Sequence, residues 1–165
     1  MLTLPGTPII YYGDEYARLN DEAFYAHYKK ETGKDDTRYF VRGPLQWKKI
    51  DNELADKESL TSKVNRLIRE QLKVRRSVQA FGRGNLNWAI VNVADAPEAG
   101  NQVLSYIRSY GKERVLVLNN LAGSKLTIDQ IGGENLKGRD MFTGDEIQTP
   151  LPLEPFGFRW IKIDA

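Results

Sequence analysis

The residues whose types could support chemistry lie mostly in the first third of this 165-residue sequence. Two neighbouring carboxylates, Asp14 and Glu15, follow a short apolar run, and Arg42 and Trp47 lie on either side of a Gly-Pro pair. Carboxylates accept hydrogen bonds and exchange protons. A guanidinium presents a rigid fork of donors, and an indole offers a broad apolar face. We therefore treat these four residues as the candidate ligand-binding residues.

Each candidate also has a purely structural interpretation. Successive side chains of a strand point to opposite faces, so Asp14 and Glu15 cannot flank one ligand together and could make ordinary loop hydrogen bonds. Arg42 could form an ion pair within its own loop. Trp47, like Tyr39, could fill a core instead of stacking on a ligand. Both interpretations stay open at this point.

The composition excludes several classes of site. The sequence has no cysteine, which excludes disulfides and thiolate metal sites. Its single histidine, His27, cannot form a multi-histidine metal site, and any Ser-His-Asp triad would have to use it. With 24 basic and 22 acidic residues the net charge is +2, which gives no reason to expect nucleic acid or an anionic membrane as a partner. We expect no metal and no cofactor.

The candidates lie in a mainly polar stretch that follows one short apolar run. Ile9–Tyr12, preceded by proline and ended by Gly13, predicts a buried strand of the parallel-sheet type, although no later run offers it a partner. A short helix is predicted for Asp21–Thr32, between an Asn or Asp cap and Gly33. The rest of 14–57 predicts a long loop, of the length that is usually functional or disordered.

A second helix and a β domain complete the sequence. Apolar residues recur at helical spacing over 59–76, with Ser59 as the N-cap and basic residues near the C-terminal end. From Asn85 onward, short β-rich runs alternate with Gly, Asn and Pro, which predicts a small antiparallel sandwich. The predicted strands are Trp88–Val91, Val103–Tyr110, Arg114–Asn119, Lys125–Ile128, Gly138–Phe142, Glu146–Gln148 and Phe158–Ile163, with a hairpin turn at Thr143-Gly144-Asp145.

Several segments resemble one enzyme family, in that family's own order. Leu4 to Glu15 (LPGTPIIYYGDE) closely resembles the segment around the eighth barrel strand of the alpha-amylase superfamily, glycoside hydrolase family thirteen. Arg42 to Trp47 (RGPLQW) resembles an Arg-x-Pro-Met-Gln-Trp element of the trehalose synthase and oligo-1,6-glucosidase branches, with Leu45 where Met is usual. Residues 60–82 resemble the last barrel helix and its exit, and residues 114–120 and 155–160 resemble the C-terminal β domain.

This resemblance implies a fold and a division into domains. Residues 1–84 would be the remnant of the last β/α unit of a catalytic (β/α)8 barrel, namely strand eight, a loop and the last helix. Residues 85–165 would be the C-terminal Greek-key β-sandwich. The fold class is therefore expected to be mainly β, with an α-helical and loop segment before the antiparallel sandwich.

The resemblance also implies an activity for a parent enzyme. That enzyme would be a retaining hydrolase or transglycosylase acting on α-glucosides, of the trehalose synthase or α-glucosidase type, with an amylosucrase-like activity as the alternative. The family's nucleophile, acid/base and third carboxylate follow strands four, five and seven, all of which precede the segment where this sequence begins. We therefore assign no catalytic residue, and we expect the 165-residue chain to be inactive alone.

The same resemblance gives the four candidates a role in the parent enzyme. Arg42 would lie near the acceptor-side subsites, Asp14 and Glu15 would hold the loop that faces the active site, and Trp47 would stack on a sugar ring. The expected partner is an α-glucan or disaccharide, bound through the barrel.

Two other hypotheses remain open. Trp88, Tyr106, Tyr110 and Trp160 could make the sandwich a carbohydrate-binding module. Alternatively the domain could be purely structural, stabilising a barrel or forming a homo-oligomer through the orphan N-terminal segment, since an unpaired strand invites another chain. The N-terminus lacks a basic region and a long apolar core, so no signal peptide is visible and we expect a cytoplasmic protein.

Overall fold

The computed structural model describes residues 1–94 and 96–163. The chain forms two compact units, one made of Met1–Pro8 with Leu72–Ala165 and the other of Ile9–Gln71. We call them the β unit and the helical unit. The sequence-based division at residues 84 and 85 concerns the domains of a parent enzyme and stays a prediction.

The first helix of the helical unit, α1, spans Glu22–Thr32 and has the predicted caps. Asp21 accepts a hydrogen bond from the backbone N–H of Phe24 at 2.9 Å, which satisfies one free donor of the first turn. Gly33 ends the helix with φ 67°, a conformation that glycine adopts without a Cβ clash. A short 3-10 helix, Thr37–Phe40, follows and packs its aromatic rings on α1.

Helix α2, Trp47–Ala55, was not predicted; that part of the sequence was expected to be loop. It buries Ile50. Helix α3, Leu60–Ser77, begins where predicted: the backbone N–H of Ser62 donates to Ser59 Oγ at 3.0 Å. The Ser59 hydroxyl donates in turn to the carbonyl of Glu53, so one serine joins the end of α2 to the start of α3.

The prediction of a strand at Ile9–Tyr12 is wrong in this structure. The segment has no regular structure, and Ile9 is 77 % exposed. A strand needs a neighbour to pair with, and the described part of the chain offers none. A hydrogen-bonded turn forms instead, in which Asp14 N donates to the Tyr11 carbonyl at 3.0 Å, and it leads into a 3-10 helix at Asp14–Tyr16.

The β unit is an antiparallel two-sheet sandwich, as predicted. One sheet has the strand order β1-β3-β4-β9-β6-β7 and the other has the order β2-β5-β8. The chain passes repeatedly from one sheet to the other, so neighbours in a sheet are often distant in sequence. The strands are β1 Asn85–Trp88, β2 Val91–Val93, β3 Val103–Tyr110, β4 Glu113–Asn120, β5 Leu126–Ile131, β6 Lys137–Asp140, β7 Glu146–Gln148, β8 Leu151–Leu153 and β9 Phe158–Ile163.

The core of the sandwich lies between the two sheets. Both sheets contribute alternate apolar residues that are almost completely buried. The central members are Leu116, Leu118, Ile128, Leu153 and Ile161. Burying side chains of this size contributes about 1.5–3 kcal/mol each, so this layer is the main stabilising feature of the unit.

Most strands and the hairpin turn agree with the sequence analysis. Gly144 has φ 80° between β6 and β7, as the predicted turn requires. The predicted strand Trp88–Val91 is wrong, because the chain changes sheets within it. Ala89 N donates to Ser105 O in the large sheet, whereas the carbonyl of Ile90 accepts from Gly132 N next to the small sheet.

The outer face of the large sheet is covered by the N-terminal segment and by helix α4, Gln79–Arg83. Leu2 and Thr3 are buried, and the Thr3 hydroxyl lies 2.6 Å from the Tyr106 hydroxyl. From α4, the fully buried ring of Phe81 packs edge-on against Trp160, with ring centroids 5.1 Å apart. The first eight residues are therefore an integral part of the β unit.

Candidate functional site

Asp14 and Glu15 hold a tight turn in the helical unit. Gly13 adopts φ 99°, which only glycine tolerates well, and its backbone N–H donates to Glu15 Oε2 at 2.9 Å. Asp14 Oδ2 accepts from Tyr11 N at 3.0 Å. Both carboxylates therefore bond to backbone donors of their own loop, which is the structural interpretation considered above; substrate binding by either residue stays a prediction.

Arg18 connects the two motif segments that the sequence singled out. Its Nη1 donates to the Gly43 carbonyl at 2.6 Å, and its guanidinium lies over the Tyr12 ring. A Cβ built on Gly13 would come within 2.8 Å of Arg18 Cδ, and one on Gly43 within 2.9 Å of Arg18 Nη2. The Arg18 side chain therefore approaches both glycines closely, and at Gly43 the Phe24 ring, also 2.9 Å from the added Cβ, restricts the space as well.

Arg42 lies beside an aromatic cluster on the surface of the helical unit. Its guanidinium is 5.5 Å from the centroid of the Tyr39 ring, and that ring stacks on Tyr28. Hydrogen bonding to Tyr28 and burial raise the pKa of Tyr39, while Arg42 acts in the opposite direction. Arg42 is exposed, so its outward face can donate to a polar ligand.

Trp47 begins helix α2 and remains 58 % exposed. Its only ring partner in the described part of the chain is Tyr16, edge-on at 6.1 Å. The indole is therefore not a core residue here, and its free face could stack on a ligand. The structure does not bring Arg42 and Trp47 into contact, although both lie on the segment that follows the 3-10 helix Thr37–Phe40.

A cleft of about 650 Å³ lies within the helical unit. It is bordered by the segment after Glu15, by the segment around Gln46 and by the junction of α2 and α3. Its lining includes charged side chains of both signs. The polar side chains of the lining include those of Arg18, Asp21, Glu22, Lys49, Glu53 and Thr61.

Thr61 and Ala17 show how this cleft is held. The buried Thr61 hydroxyl lies within hydrogen-bond distance of two acceptors, the Tyr16 carbonyl and Glu53 Oε2, and can donate to only one at a time. Ala17 adopts φ 55°, a conformation that costs a non-glycine residue free energy and that accumulates at functional sites. The cleft wall is therefore fixed in a strained shape by long-range hydrogen bonds.

None of the four candidates lines this cleft; Glu15 and Trp47 are next in sequence to residues that do, whereas Asp14 and Arg42 are two residues away from the first one. The lining residues concerned are Tyr16, which follows Glu15, and Gln46, which precedes Trp47, and the role of the four candidates stays a prediction. Sequence reasoning missed Arg18 and Thr61. No local signal in the sequence indicates the role of Arg18, because Gly13 and Gly43 are far apart along the chain.

The aromatic residues of the β unit divide into two groups. Tyr106 and Trp160 are at most 3 % exposed, and both side chains pack against the sheet. Trp88 and Tyr110 are exposed at 68 % and 42 %. The four aromatics proposed for a carbohydrate-binding surface therefore do not form one exposed row.

In the described ranges, 1–94 and 96–163, no group of three or more His, Asp or Glu side chains is placed to hold a metal ion. None of the helices in these ranges is both long and apolar enough to cross a bilayer.

Comparison with known proteins gives a sequence match within the β unit. Residues 96–160 match the family described as Maltogenic Amylase, C-terminal domain. This range covers most of the sandwich, from the residues just before β3 to the middle of β9. This match compares amino-acid sequences only and does not depend on the fold described above.

The fold of almost the whole chain also matches solved structures of larger enzymes. A maltogenic amylase from S. marinus matches with a TM-score of 0.61 and 17 % identity over 99 % of this chain. A mutant of a trehalulose synthase crystallised with Tris gives 0.66 and 18 % over 99 %, and a mutant trehalose-6-phosphate hydrolase from Bacillus licheniformis gives 0.59 and 16 % over 100 %. The chain spans 19 % of the first of these proteins and 37 % of each of the other two.

These comparisons confirm the resemblance found in the sequence. The chain has the architecture of the C-terminal region of alpha-amylase-family enzymes, with a helical segment followed by antiparallel sheets. The helical unit is included in the match, because the aligned region covers 98–100 % of the chain in the structures compared.

Proposed function

We propose that this chain is the C-terminal region of an alpha-amylase-family glycoside hydrolase or transglycosylase that acts on α-glucosides in carbohydrate metabolism. The observation that carries the proposal is the family match over residues 96–160. Support comes from the motif segments around Gly13 and Gly43, which Arg18 joins in the helical unit. The substrate would be a disaccharide or an α-glucan, of the kind acted on by trehalose synthase or α-glucosidase.

The chain by itself is proposed to be inactive. Retaining hydrolysis needs two carboxyl groups about 5–5.5 Å apart, one of them free to attack the sugar. Asp14 and Glu15 are both bonded to backbone N–H groups of their own turn. These bonds hold one oxygen of each carboxylate against its own loop, which supports the proposal that the pair has a structural role and is not the nucleophile and acid/base pair.

In the complete enzyme, the helical unit would contribute to substrate binding. Arg42 and Trp47 are exposed and present a cation with donors and a flat apolar face, which are the two chemistries that recognise a sugar. Arg18 is a positioning residue, since it holds the Gly43 carbonyl next to Arg42.

The test is to read and express the gene sequence on the N-terminal side of Met1 together with this chain. The proposal predicts a barrel there, and retaining turnover of maltose or sucrose by the longer polypeptide. In that enzyme Arg42→Ala should raise KM for the acceptor more than it lowers kcat, and Arg38→Ala, an exposed arginine paired with Asp36, is the matched control. A longer polypeptide that has a barrel but no activity on any α-glucoside would refute the proposal.

A second candidate function is purely structural, as an interface for a barrel or for another copy of this chain. Large apolar side chains of the helical unit are unusually exposed: Ile9 at 77 %, Leu19 at 79 % and Leu60 at 63 %. A size measurement in solution separates the two partners. A concentration-dependent dimer that Ile9→Ser abolishes would favour self-association, whereas a monomer at all concentrations would leave the barrel as the proposed partner.

A further inference from the structure

Strand β1, Asn85–Trp88, is an unprotected edge of the large sheet. It pairs with β3 on one side, and in residues 1–94 and 96–163 no strand pairs with its other side. An edge of this kind exposes a row of unpaired backbone groups that another chain can use. The strand contains neither a charged side chain nor a proline, the residues that usually prevent such pairing.

The other edge strands in the described ranges are each protected in a different way. β7, at the opposite edge of the large sheet, carries Glu146, whose side chain is 90 % exposed. β8 contains Pro152, which has no N–H to donate. The 3-10 helix Pro97–Gln102 lies against β2, where a Cβ built on Gly100 would come within 2.8 Å of the Val91 carbonyl oxygen. By contrast, β1 is open to a further strand.

The register of β1 on β3 determines which backbone groups face the open side. Ala89 N donates to the Ser105 carbonyl at 3.1 Å, so Ala89 and, by alternation, Asn87 direct their N–H and C=O groups at β3. The N–H and C=O groups of Leu86 and Trp88 therefore point away from the sheet. These donors and acceptors are the ones that an incoming strand can bond.

The side chains of β1 divide between the two faces of the sheet. Leu86 and Trp88 lie on the face that carries Arg108 and Tyr106, their cross-strand neighbours, whereas Asn87 lies on the opposite face. Trp88 is 68 % exposed even though its ring meets Tyr106 edge-on at 5.9 Å. The open edge therefore offers an apolar surface beside its unpaired backbone groups.

We propose that β1 pairs antiparallel with β1 of a second copy of this chain, about a two-fold axis at Asn87. In that register Asn87 of one copy lies opposite Asn87 of the other, and Leu86 of each copy lies opposite Trp88 of the other. Each Leu86–Trp88 pair then exchanges both of its N–H···O=C bonds. The two Asn87 amides, facing each other across the axis, can also bond to each other.

A second copy fits this edge because the short sequence is self-complementary. In antiparallel register, Leu-Asn-Trp places apolar side chains opposite apolar ones and an amide opposite an amide. The pairing also has defined ends: the Gly84 carbonyl accepts from Arg108 Nη2, and the Ile90 carbonyl accepts from Gly132 N. So short a ladder buries less than the roughly 1,600 Å² of a standard interface, so we expect a weak dimer with a Kd on the order of 100 μM.

The test is sedimentation velocity of the 165-residue chain from about 5 μM to about 1 mM, which spans the expected Kd. Asn87→Lys and Asn87→Glu each place like charges directly opposite each other at the axis, so each should raise the Kd by about tenfold or more. An equimolar mixture of the two variants should dimerise like the parent chain, because Lys then faces Glu. Mixing could not rescue variants that merely failed to fold.

A matched control and a second measurement make the result specific. Asn52→Lys makes the same change at an exposed position of helix α2 and should leave the Kd unchanged. Amide hydrogen exchange followed by NMR reports the register. Exchange at Leu86 and Trp88 should slow as the protein concentration rises, whereas exchange at Asn87, whose N–H is directed at β3, should stay the same.

Three results would overturn this interface. A monomer at all concentrations would refute it and leave the open edge to the parent enzyme's barrel or to another protein. A dimer that forms equally well in Asn87→Lys would refute the position of the axis. A dimer that Ile9→Ser abolishes and Asn87→Lys does not would place the contact in the helical unit instead. All three are independent of the activity of the longer polypeptide, which tests the proposed function separately.

Discussion

Replacing Arg108 with methionine tests how the N-terminal segment is attached to the β unit. Arg108 is 1 % exposed, and its guanidinium donates to three backbone carbonyls: Asn85 at 3.2 Å from Nε, Gly84 at 2.8 Å from Nη2, and Thr3 from Nη1. No ion pair involves it in the described ranges. Burial lowers the pKa of Arg108 from its usual value, but arginine stays charged at any ordinary pH.

These contacts determine how much stability the replacement should remove. A hydrogen bond from a charged donor contributes about 1.5–3 kcal/mol, and each buried carbonyl left unpaired costs about 1–3 kcal/mol. Removing the buried charge recovers part of this, since a guanidinium without a counter-ion is itself costly to bury. We expect Arg108→Met to lower the free energy of unfolding by about 3 kcal/mol, the low end of the cost of leaving three buried carbonyls unpaired.

Urea unfolding measures this change, and limited proteolysis locates it. Cleavage within Met1–Pro8 should become faster in Arg108→Met, because Thr3 loses its bond. Arg139→Met is the matched control: Arg139 lies on β6 with its side chain 64 % exposed, and its replacement should change stability by no more than about 0.5 kcal/mol. Equal stability of the two variants would refute the reasoning.

Three further changes test the helical unit and the loops. Gly43→Ala places a Cβ within 2.9 Å of a guanidinium and an aromatic ring, so it should destabilise the helical unit by about 1–3 kcal/mol in urea unfolding. The control is Gly82→Ala, whose Cβ would meet no atom within 4 Å and which should be neutral or stabilising. Asn120→Ala removes the hydrogen bonds that join the loop after β4 to the loop before β9, so it should lower the free energy of unfolding by about 2–4 kcal/mol in the same assay. A loss under about 0.5 kcal/mol would contradict the role of Asn120 in joining the loops. Hydrogen bonds from Lys29 and Tyr25 lower the pKa of Asp35. The ionised carboxylate therefore stabilises the folded state at pH values above its ordinary pKa of about 3.9, and this stabilisation is lost as the pH falls through the lowered pKa of the folded state. The melting temperatures of Asp35→Asn and the parent chain should therefore converge below that pH, and a constant or growing difference would contradict the assignment.

Local sequence patterns were enough to predict the elements whose caps or pairing partners lie nearby in the sequence. Helix α1 has a capping aspartate and a terminal glycine in its own sequence, and β3 and β4 form a long hairpin joined at Gly111. Strand β8, Leu151–Leu153, was missed because it is three residues long and contains Pro152, which usually argues against a strand. It is an edge strand of the small sheet, where a proline is tolerated.

Features that depend on distant partners could not be predicted locally. The apolar run Ile9–Tyr12 has strand propensity, but a strand exists only if another strand pairs with it. The role of Arg18 depends on two glycines that are far apart in sequence, at 13 and 43. The candidate residues were chosen from motifs, and motifs identify the segments; which side chains face the cleft is decided by how the segments pack.

The most direct test of the central claim is an activity assay on the purified 165-residue chain with maltose, sucrose and starch. The prediction is no turnover above the uncatalysed rate, because no residue is assigned as nucleophile or acid/base and Asp14 and Glu15 bond to backbone N–H groups of their own loop. Turnover that follows this chain through purification and is lost in Asp14→Asn or Glu15→Gln would contradict it.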